Sequence, residues 1–505
     1  MIPLELARVA EITGGRLNAQ ADPRAKVTGF VEFDSRKITP GGLFVALSGA
    51  RVDGHDFAAA AIEKGAVAVL AARDVDAPAI IVPPVDRQRG DNSDLATNDP
   101  DGSVAAVVAA MSKLASFVAR ELVKNHGLVI AGVTGSAGKT STKDLIAAVL
   151  SSAGETVAPP GSFNNEIGHP YTVLRCAEGT EFLVAEMSAR GIGHVAHLAQ
   201  IAPPSIGVVL NVGSAHLGEF GSRENIARAK GELVEALPAA KDGGVAILNA
   251  DDDLVASMRD RTAARVVTFS TTSRAAHYFA TDIELDDVAR ATFTLHSPDA
   301  APQRVCLNVF GAHQVSNALA AAAVGVESGL SARQVAEALS NAHGVSVNRM
   351  DVTTRADGVT IINDAYNANP DSMRAGIAAL GYTAAARPGV RSIAVLGEMS
   401  ELGSGSVQSH RELGDELARY HVTHLITVGD SEAIRALHTR ASARGISTEN
   451  TAGVAEAAEA VGRILAVPPA GEDGWYEREV RDVVLVKASN SLGLWGVAES
   501  LLQRN

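Results

Sequence analysis

The chain has 505 residues and a net charge of −14, so it is too long for one typical domain and has the wrong sign for non-specific nucleic-acid or anionic-membrane binding. Hydrophobic residues make up 46% of it and aromatic residues only 4%, which predicts several Ala/Val/Leu/Ile-rich cores of the α/β kind. Two cysteines, Cys176 and Cys306, stand far apart in apolar surroundings, so both read as packing residues rather than a disulfide or a metal site. The opening MIPLELARVAEITGG mixes acids among its apolar positions and lacks the blocks of a signal peptide. No run approaches the roughly 18–20 apolar residues that span a bilayer. A cytoplasmic protein without membrane insertion is expected.

In chain order, a first segment runs to about residue 102. It opens with a helix ending at Gly14-Gly15. Asp34-Ser35-Arg36, the strand 43–47, a helix over 56–64 and the strand 66–70 follow, making a small α/β unit. Residues 85–102, VDRQRGDNSDLATNDPDG, read as a flexible loop at its edge.

A second segment begins with a helix over 104–124 and enters LVIAGVTGSAGKTSTKDLIAAVL. An apolar strand, 128–133, runs into Thr134-Gly135-Ser136-Ala137-Gly138-Lys139-Thr140. Leu145, Ile146, Val149 and Leu150 then recur at helical spacing. Strand, glycine loop, lysine-hydroxyl and helix form a phosphate-binding arrangement. Glycines let backbone N–H groups turn inward, and the helix N-terminus adds positive potential. Lys139 can reach the outer phosphates and the Thr140 hydroxyl can bind Mg²⁺. The loop is shorter than the general P-loop pattern, which would place glycine at Val133. An ordinary strand-to-helix turn with an exposed lysine is the plain alternative, and the agreement of both flanking elements argues against it.

Further strands are predicted at 182–185, 206–210, 245–248 and 266–269, alternating with helices, as in a mostly parallel sheet covered on both faces. Ligands then lie beyond the carboxyl ends of the strands. That gives weight to Glu186, Asn211 and His216. A carboxylate at 186, facing a phosphate loop, suits Mg²⁺. Lys230 follows on the next helix. The paired Asn164 and Asn165 sit in the turn-rich stretch SFNNEIGHP, whose plain alternative is a surface turn. Asp251-Asp252-Asp253 fit helix N-capping better than a metal site.

A third segment begins near 345. Its strands are predicted at 359–362, 393–396, 425–428 and 483–486. Its helices are predicted near 372–380, 407–420, 432–443 and 454–465. This is a second α/β unit of Rossmann-like alternation without G-x-G-x-x-G.

These motifs together resemble the Mur ligase family. The matching stretches are DSRKITPGGLFVAL with GARVDGHDF, TGSAGKTSTKD, SFNNEIGHPYTVL, AEMSARGIG and NVGSAHLGEFGSRENIARAKGEL. FGAHQVSNALAAAAV, INDAYNANPDSMRAG and VLGEMSELG complete the set, and together they cover nearly the whole chain. The resemblance implies an α/β protein of three domains: a small N-terminal UDP-sugar-binding domain (1–102), a central P-loop ATPase domain with a parallel sheet (103–344) and a C-terminal Rossmann-like domain (345–505). NDAYNANP points to the branch that adds D-Ala-D-Ala to UDP-N-acetylmuramoyl-tripeptide. By resemblance, residues 134–140 hold ATP, with Lys139 on the outer phosphates. Thr140 and Glu186 bind one Mg²⁺. His216 and Lys230 serve a second, Lys230 as the carboxylated lysine of the family. His313 and Asn317 face the adenine, Asp364 the ribose and Arg349 the γ-phosphate. Ser35 and Arg36 match the UDP-sugar site. Asn164, Asn165, Arg190, Tyr366, Asn367 and Asn369 are further substrate contacts. A monomer is expected. The chain departs from the family pattern at Lys487-Ala488-Ser489-Asn490, at Asn348 before Arg349, and at Ser188.

The implied chemistry is ATP-dependent amide formation through an acyl phosphate, with Lys139, Arg349, His216 and Lys230 as its catalytic groups. Another Mur-type or folylpolyglutamate-type ligase, or a P-loop regulator that ligates nothing, are the alternatives.

Overall fold

The computed structural model describes residues 1–49, 52–85, 99, 101–213, 217–387, 389–469, 475 and 478–503. Most of the predicted loop 85–102, and His216, lie outside them.

The first helix, Leu6–Thr13, ends as predicted, because Gly14 takes the left-handed φ of 73° and donates its N–H to the last turn. Five short strands follow in one sheet, in the order Arg16–Leu17, Ala79–Ile81, Ala68–Ala71, Leu43–Val45, Val31–Glu32. The helix expected over 56–64 is split into a 3₁₀ turn, Gly54–Phe57, and an α-helix, Ala58–Glu63.

The central sheet has nine strands among the described residues. Their order is Gln303–Phe310, Arg290–His296, Tyr278–Leu285, Arg265–Ser270, Val245–Asn249, Ile206–Val209, Val129–Thr134, Phe182–Glu186, Thr156–Val157. From Thr156–Val157 to Tyr278–Leu285 every pairing is parallel. Alternate residues of the strands feed two cores: Ile130 and Leu183 face one side, Ala131, Val133 and Val184 the other. Leu145, Ile146 and Val149 of helix Lys139–Ser151 pack in the second core with helix Gln314–Glu327. The strand Val129–Thr134 lies between Ile206–Val209 and Phe182–Glu186, so the chain passes to opposite sides of it. Its glycine loop therefore opens at the switch point, flanked by the ends of both neighbours.

Several short or polar strands were not anticipated, and three of them lengthen the central sheet. Tyr278–Leu285, Arg290–His296 and Gln303–Phe310 extend the sheet, the last two antiparallel. Their residues alternate buried and exposed, so the signal was a period of two rather than an apolar run. That alternation also corrects the reading of Cys306. Cys176 is buried, but Cys306 points outward beside buried Val305 and is exposed. Asp252 caps Leu254 and Val255 with its carboxylate, as expected of Asp251–Asp253.

The helix Ser103–His126 alters a second expectation. It is long and apolar enough to cross a membrane by length and mean hydropathy (1.4), yet 61% of that window is buried inside the protein. Met111, Leu114 and Val118 join Leu6 and Val9 in one core with residues of the central sheet. Burial in that core accounts for its composition.

The last sheet has the order Asp351–Thr354, Thr360–Asn363, Val483–Lys487, Ser392–Leu396, His424–Val428, Ser447–Thr451. All pairings are parallel except that of Asp351–Thr354. The polar edge strand Ser447–Thr451 has no apolar run to announce it.

Glu32 ties the first sheet to the central region. It is 5% exposed and accepts from the Tyr171 hydroxyl at 3.1 Å and from Arg175 Nη1 at 2.7 Å. Phe33 and Phe163 pack on the Tyr171 ring, at 4.9 and 5.6 Å between centroids. Removing one partner of a buried pair strands the other. Because Arg175 keeps a third of its side chain in water, Glu32→Ala is expected to cost about 2 kcal/mol rather than the full buried-pair penalty. Urea unfolding measures this; a loss within about 0.5 kcal/mol, the range of ordinary surface changes, would contradict the anchoring role.

Candidate active site

The glycine loop is fixed from outside. Asn211, just past the strand Ile206–Val209, accepts the Ser136 and Ala137 N–H groups on its Oδ1, both at 2.9 Å. Its Nδ2 returns a hydrogen bond to the Ala137 carbonyl at 3.1 Å. Gly138 turns into the helix with φ 82°, and a Cβ there would lie 2.8 Å from Asn317 Oδ1. Asn317 thereby packs directly on the loop.

Lys139 folds back to donate to the Gly135 carbonyl at 2.8 Å. Burial lowers its pKa; nearby Glu186 opposes the shift and Arg349 adds to it. The Thr140 hydroxyl donates to Glu186 Oε2 at 3.0 Å and meets Ser162 Oγ at 2.9 Å. Glu186 Oε1 accepts Asn164 Nδ2 at 2.6 Å. Loop helix, strand end and asparagine stretch thus converge on one carboxylate.

Arg349 reaches this cluster from the far segment. Its Nη2 donates to Ser162 Oγ at 2.6 Å, and its guanidinium lies 4.1 Å from the Tyr366 ring centroid. Its Nε is buried without a partner. Asn348 and Met350 on either side hold the left-handed φ values 59° and 55°, a strained backbone for non-glycine residues. Asp364 accepts Met350 N–H at 3.1 Å and Lys487 Nζ at 2.6 Å. Lys487 also donates to the Asn367 carbonyl at 2.9 Å. Burial lowers the pKa of Lys487, against the pull of Asp364. His313 is likewise lowered by burial, raised in part by Asp364 and lowered further by Lys487.

These groups line one cavity of about 1220 Å³. It gathers Ser136 to Thr140, Asn164, Asn165, Glu186, Arg190, His313, Asn317, Arg349, Asp364, Tyr366, Asn367 and Asn369, residues from the second and third segments. Other expected residues lie elsewhere. Arg36 forks onto Asp34 at 2.9 Å through both Nε and Nη2, with 83% of its side chain exposed; neither it nor Ser35 lines the cavity. Thr134 is buried beneath the loop and its hydroxyl has no partner. Asn369 does line the cavity, but its side chain caps helix Pro370–Ala385 by accepting Ser372 N–H at 2.9 Å. Asn367 turns its Oδ1 onto the Ala368 N–H at 2.8 Å. Arg190 lies 3.5 Å from Glu401.

Lys230 is 4% exposed on helix Arg223–Glu235. Burial lowers its pKa well below the ordinary value, and the charge of Lys139 lowers it further. Among the described residues no group of three or more His, Cys, Asp and Glu comes together to hold an ion. What the site offers an Mg²⁺ is a pair of hard oxygens, Thr140 Oγ1 and Glu186 Oε2, beside the phosphate loop. Sequence reasoning missed Ser162, an unremarked loop serine. It also assigned no role to Lys487, although the strand-end rule marks it as the last residue of VVLVK.

Fold and site together define an ATPase-like α/β enzyme whose phosphate loop is faced by a second, Rossmann-like sheet. Residues 28–120 match the Mur ligase family catalytic domain, 133–325 the Mur ligase middle domain and 348–490 the Mur ligase glutamate ligase domain. The chain is 53% identical over 511 residues to the UDP-N-acetylmuramoyl-tripeptide–D-alanyl-D-alanine ligase of Mycobacterium bovis, covering 99% of this chain and 98% of that one. It is 33% identical to the ligase of the same name from Escherichia coli over 85% of this chain and 86% of that one. The crystal structure of MurF from Acinetobacter baumannii superposes with a TM-score of 0.80 at 27% identity, over 99% of both chains. MurF of Thermotoga maritima in complex with ADP superposes with a TM-score of 0.73 at 28% identity, over 94% of this chain and 98% of that one. The chain belongs to the Mur ligase family.

One group beside the site titrates with a consequence for stability. His169, 1% exposed, sets Nε2 3.0 Å from the Leu198 carbonyl, and burial lowers its pKa from 6.5 to about 4. The unfolded chain therefore binds the extra proton first. His169 contributes stability that is complete above about pH 6.5 and is lost as pH falls towards 4, roughly 3 kcal/mol in all. His169→Asn should flatten the fall in urea-unfolding stability between about pH 7 and about pH 4.5. An unchanged pH profile would contradict the assignment.

Proposed function

We propose that this chain is an ATP-dependent amide ligase joining D-Ala-D-Ala to UDP-N-acetylmuramoyl-tripeptide in peptidoglycan synthesis. The observation that carries the reading is Arg349, contributed by the far segment, meeting the Thr140–Glu186 cluster through Ser162. Near-full-length likeness to ligases of that name supplies the substrates. The three domains proposed are 1–102 for the UDP-sugar, 103–344 for ATP and 345–505 to close over it, in a cytoplasmic monomer.

The reaction needs a leaving group better than oxide. A terminal carboxylate oxygen of the tripeptide attacks the γ-phosphorus of ATP, the bond to ADP breaks, and an acyl phosphate forms. The D-Ala-D-Ala amine then attacks the carbonyl carbon. It loses a proton, and phosphate leaves as the amide forms. Such transfer depends on positioning and charge neutralisation. With the Ser136 and Ala137 N–H groups held by Asn211, the backbone N–H groups of residues 138–140, at the start of helix Lys139–Ser151, would cradle the phosphates. Lys139 would exchange the Gly135 carbonyl for a phosphate oxygen. Arg349, already aimed past Ser162, would neutralise charge on the transferred group. Asp364 would hold the ribose, with His313 and Asn317 against the base. The UDP-sugar would extend towards Ser35 and Arg36. Asn164, Asn165, Arg190, Tyr366, Asn367 and Asn369 would bound the substrates.

Thr140 and Glu186 would hold one Mg²⁺, which supplies electrophilic charge on the phosphates. Lys230 and His216 would serve a second. Burial and the charge of Lys139 disfavour the ammonium of Lys230, and the neutral amine is the form able to add CO₂ and become an anionic oxygen ligand.

ADP release is expected to require Mg²⁺, the UDP-tripeptide and D-Ala-D-Ala together. Release that persists without either acceptor would favour a nucleotide-binding regulator, and release with glutamate in place of the dipeptide would favour a different ligase. Arg349→Ala should lower turnover roughly 10²–10⁵-fold. Unchanged turnover would remove Arg349 from the chemistry.

A further inference from the structure

Helix Lys139–Ser151 carries a lysine that the reaction does not use. Lys143 is 2% exposed, an expensive place for an ammonium. Its Nζ donates to the Pro159 carbonyl at 2.9 Å, reaches Ser346 Oγ at 3.4 Å, and pairs with the neighbouring Asp144. Asp144 also grips the same serine, its Oδ2 accepting Ser346 N–H at 3.2 Å. The three segments joined here are those that build the phosphate end of the site. The helix bears Lys139 and Thr140. Pro159 begins the loop that carries Ser162 and Asn164. Ser346 lies three residues before Arg349.

We propose that Lys143 and Asp144 are positioning residues that set the reach of Arg349. They fix the stretch entering the last sheet at Ser346, 7% exposed. Beyond it the backbone is committed by the left-handed Asn348 and Met350. The second anchor is Asp364, which accepts Met350 N–H. Arg349 is held between the two, and Lys143, through Pro159, holds the loop that presents Ser162 to it. A side chain as long as arginine needs both ends of its backbone fixed to place a charge within about an ångström, and a misplacement of that size can cost about 10²-fold in rate.

The inference rests on the phosphate-facing role of Arg349, and the experiment separates the two. Ser346→Ala removes the Oγ that Lys143 reaches, leaves the buried Lys143–Asp144 pair intact, and changes little volume. It is expected to lower kcat about 10-fold while the ATP dissociation constant, measured by direct binding, stays within about threefold. Lys143→Met should lower kcat further, about 100-fold. In the Arg349→Ala background, Ser346→Ala should cost less than about twofold more, because the group it positions is gone. A full kcat for Ser346→Ala, or a loss that adds undiminished to that of Arg349→Ala, overturns the proposal while leaving the role of Arg349 intact. An Arg349→Ala enzyme of normal turnover instead overturns the role itself. Should Lys143→Met fail to fold, Ser346→Ala alone decides.

Discussion

Glu186 ends the strand beside the phosphate loop, and its two oxygens gather the surrounding elements. One accepts Thr140, the other Asn164, and Ser162 bridges from Thr140 to Arg349. A carboxylate buried to 1% exposure is tolerated only with such donors around it. The central sheet, the asparagine loop and the last segment are therefore registered against one another by a single buried charge. The parallel topology makes this possible, since strand Val129–Thr134 has a parallel neighbour on either side and the ends of both reach its loop.

Around that carboxylate the site accumulates positive charge in a protein that is acidic overall. Lys139, Arg349, Lys487 and Lys230 belong to the same neighbourhood, and burial works against the charge on three of them. Their partners differ in kind. Lys487 pairs with Asp364, Lys139 leans on a carbonyl, and Arg349 stacks on Tyr366. A polyphosphate entering the cavity meets donors already desolvated, so little reorganisation remains at the moment of transfer. The net charge of −14 is compatible with an anionic substrate because the basic groups are local.

Much of this was legible in the residues. The loop from Gly135 to Thr140 announces itself by composition, and the strand-end rule leads to Glu186 and Asn211. The helix over 432–443 appears at the residues its periodicity predicts. Other features carry no local signal. Ser162 matters only because a distant arginine folds onto it. The polar strand Ser447–Thr451 exists because a parallel neighbour offers it an edge. The antiparallel extension to Gln303–Phe310 shows alternation, which half-exposed strands share with loops, and the same geometry turns Cys306 outward. Arg36 shows the opposite limit: a sequence motif marks it, yet its partner here is Asp34.

Activation of the acceptor carboxylate by phosphorylation, before the amine attacks, moves one carboxylate oxygen onto phosphate. The direct measurement uses UDP-tripeptide with ¹⁸O in its terminal carboxylate, turned over with ATP and D-Ala-D-Ala. Each phosphate released should carry one ¹⁸O drawn from that carboxylate. Phosphate free of the label, formed alongside the ligated product, would contradict it.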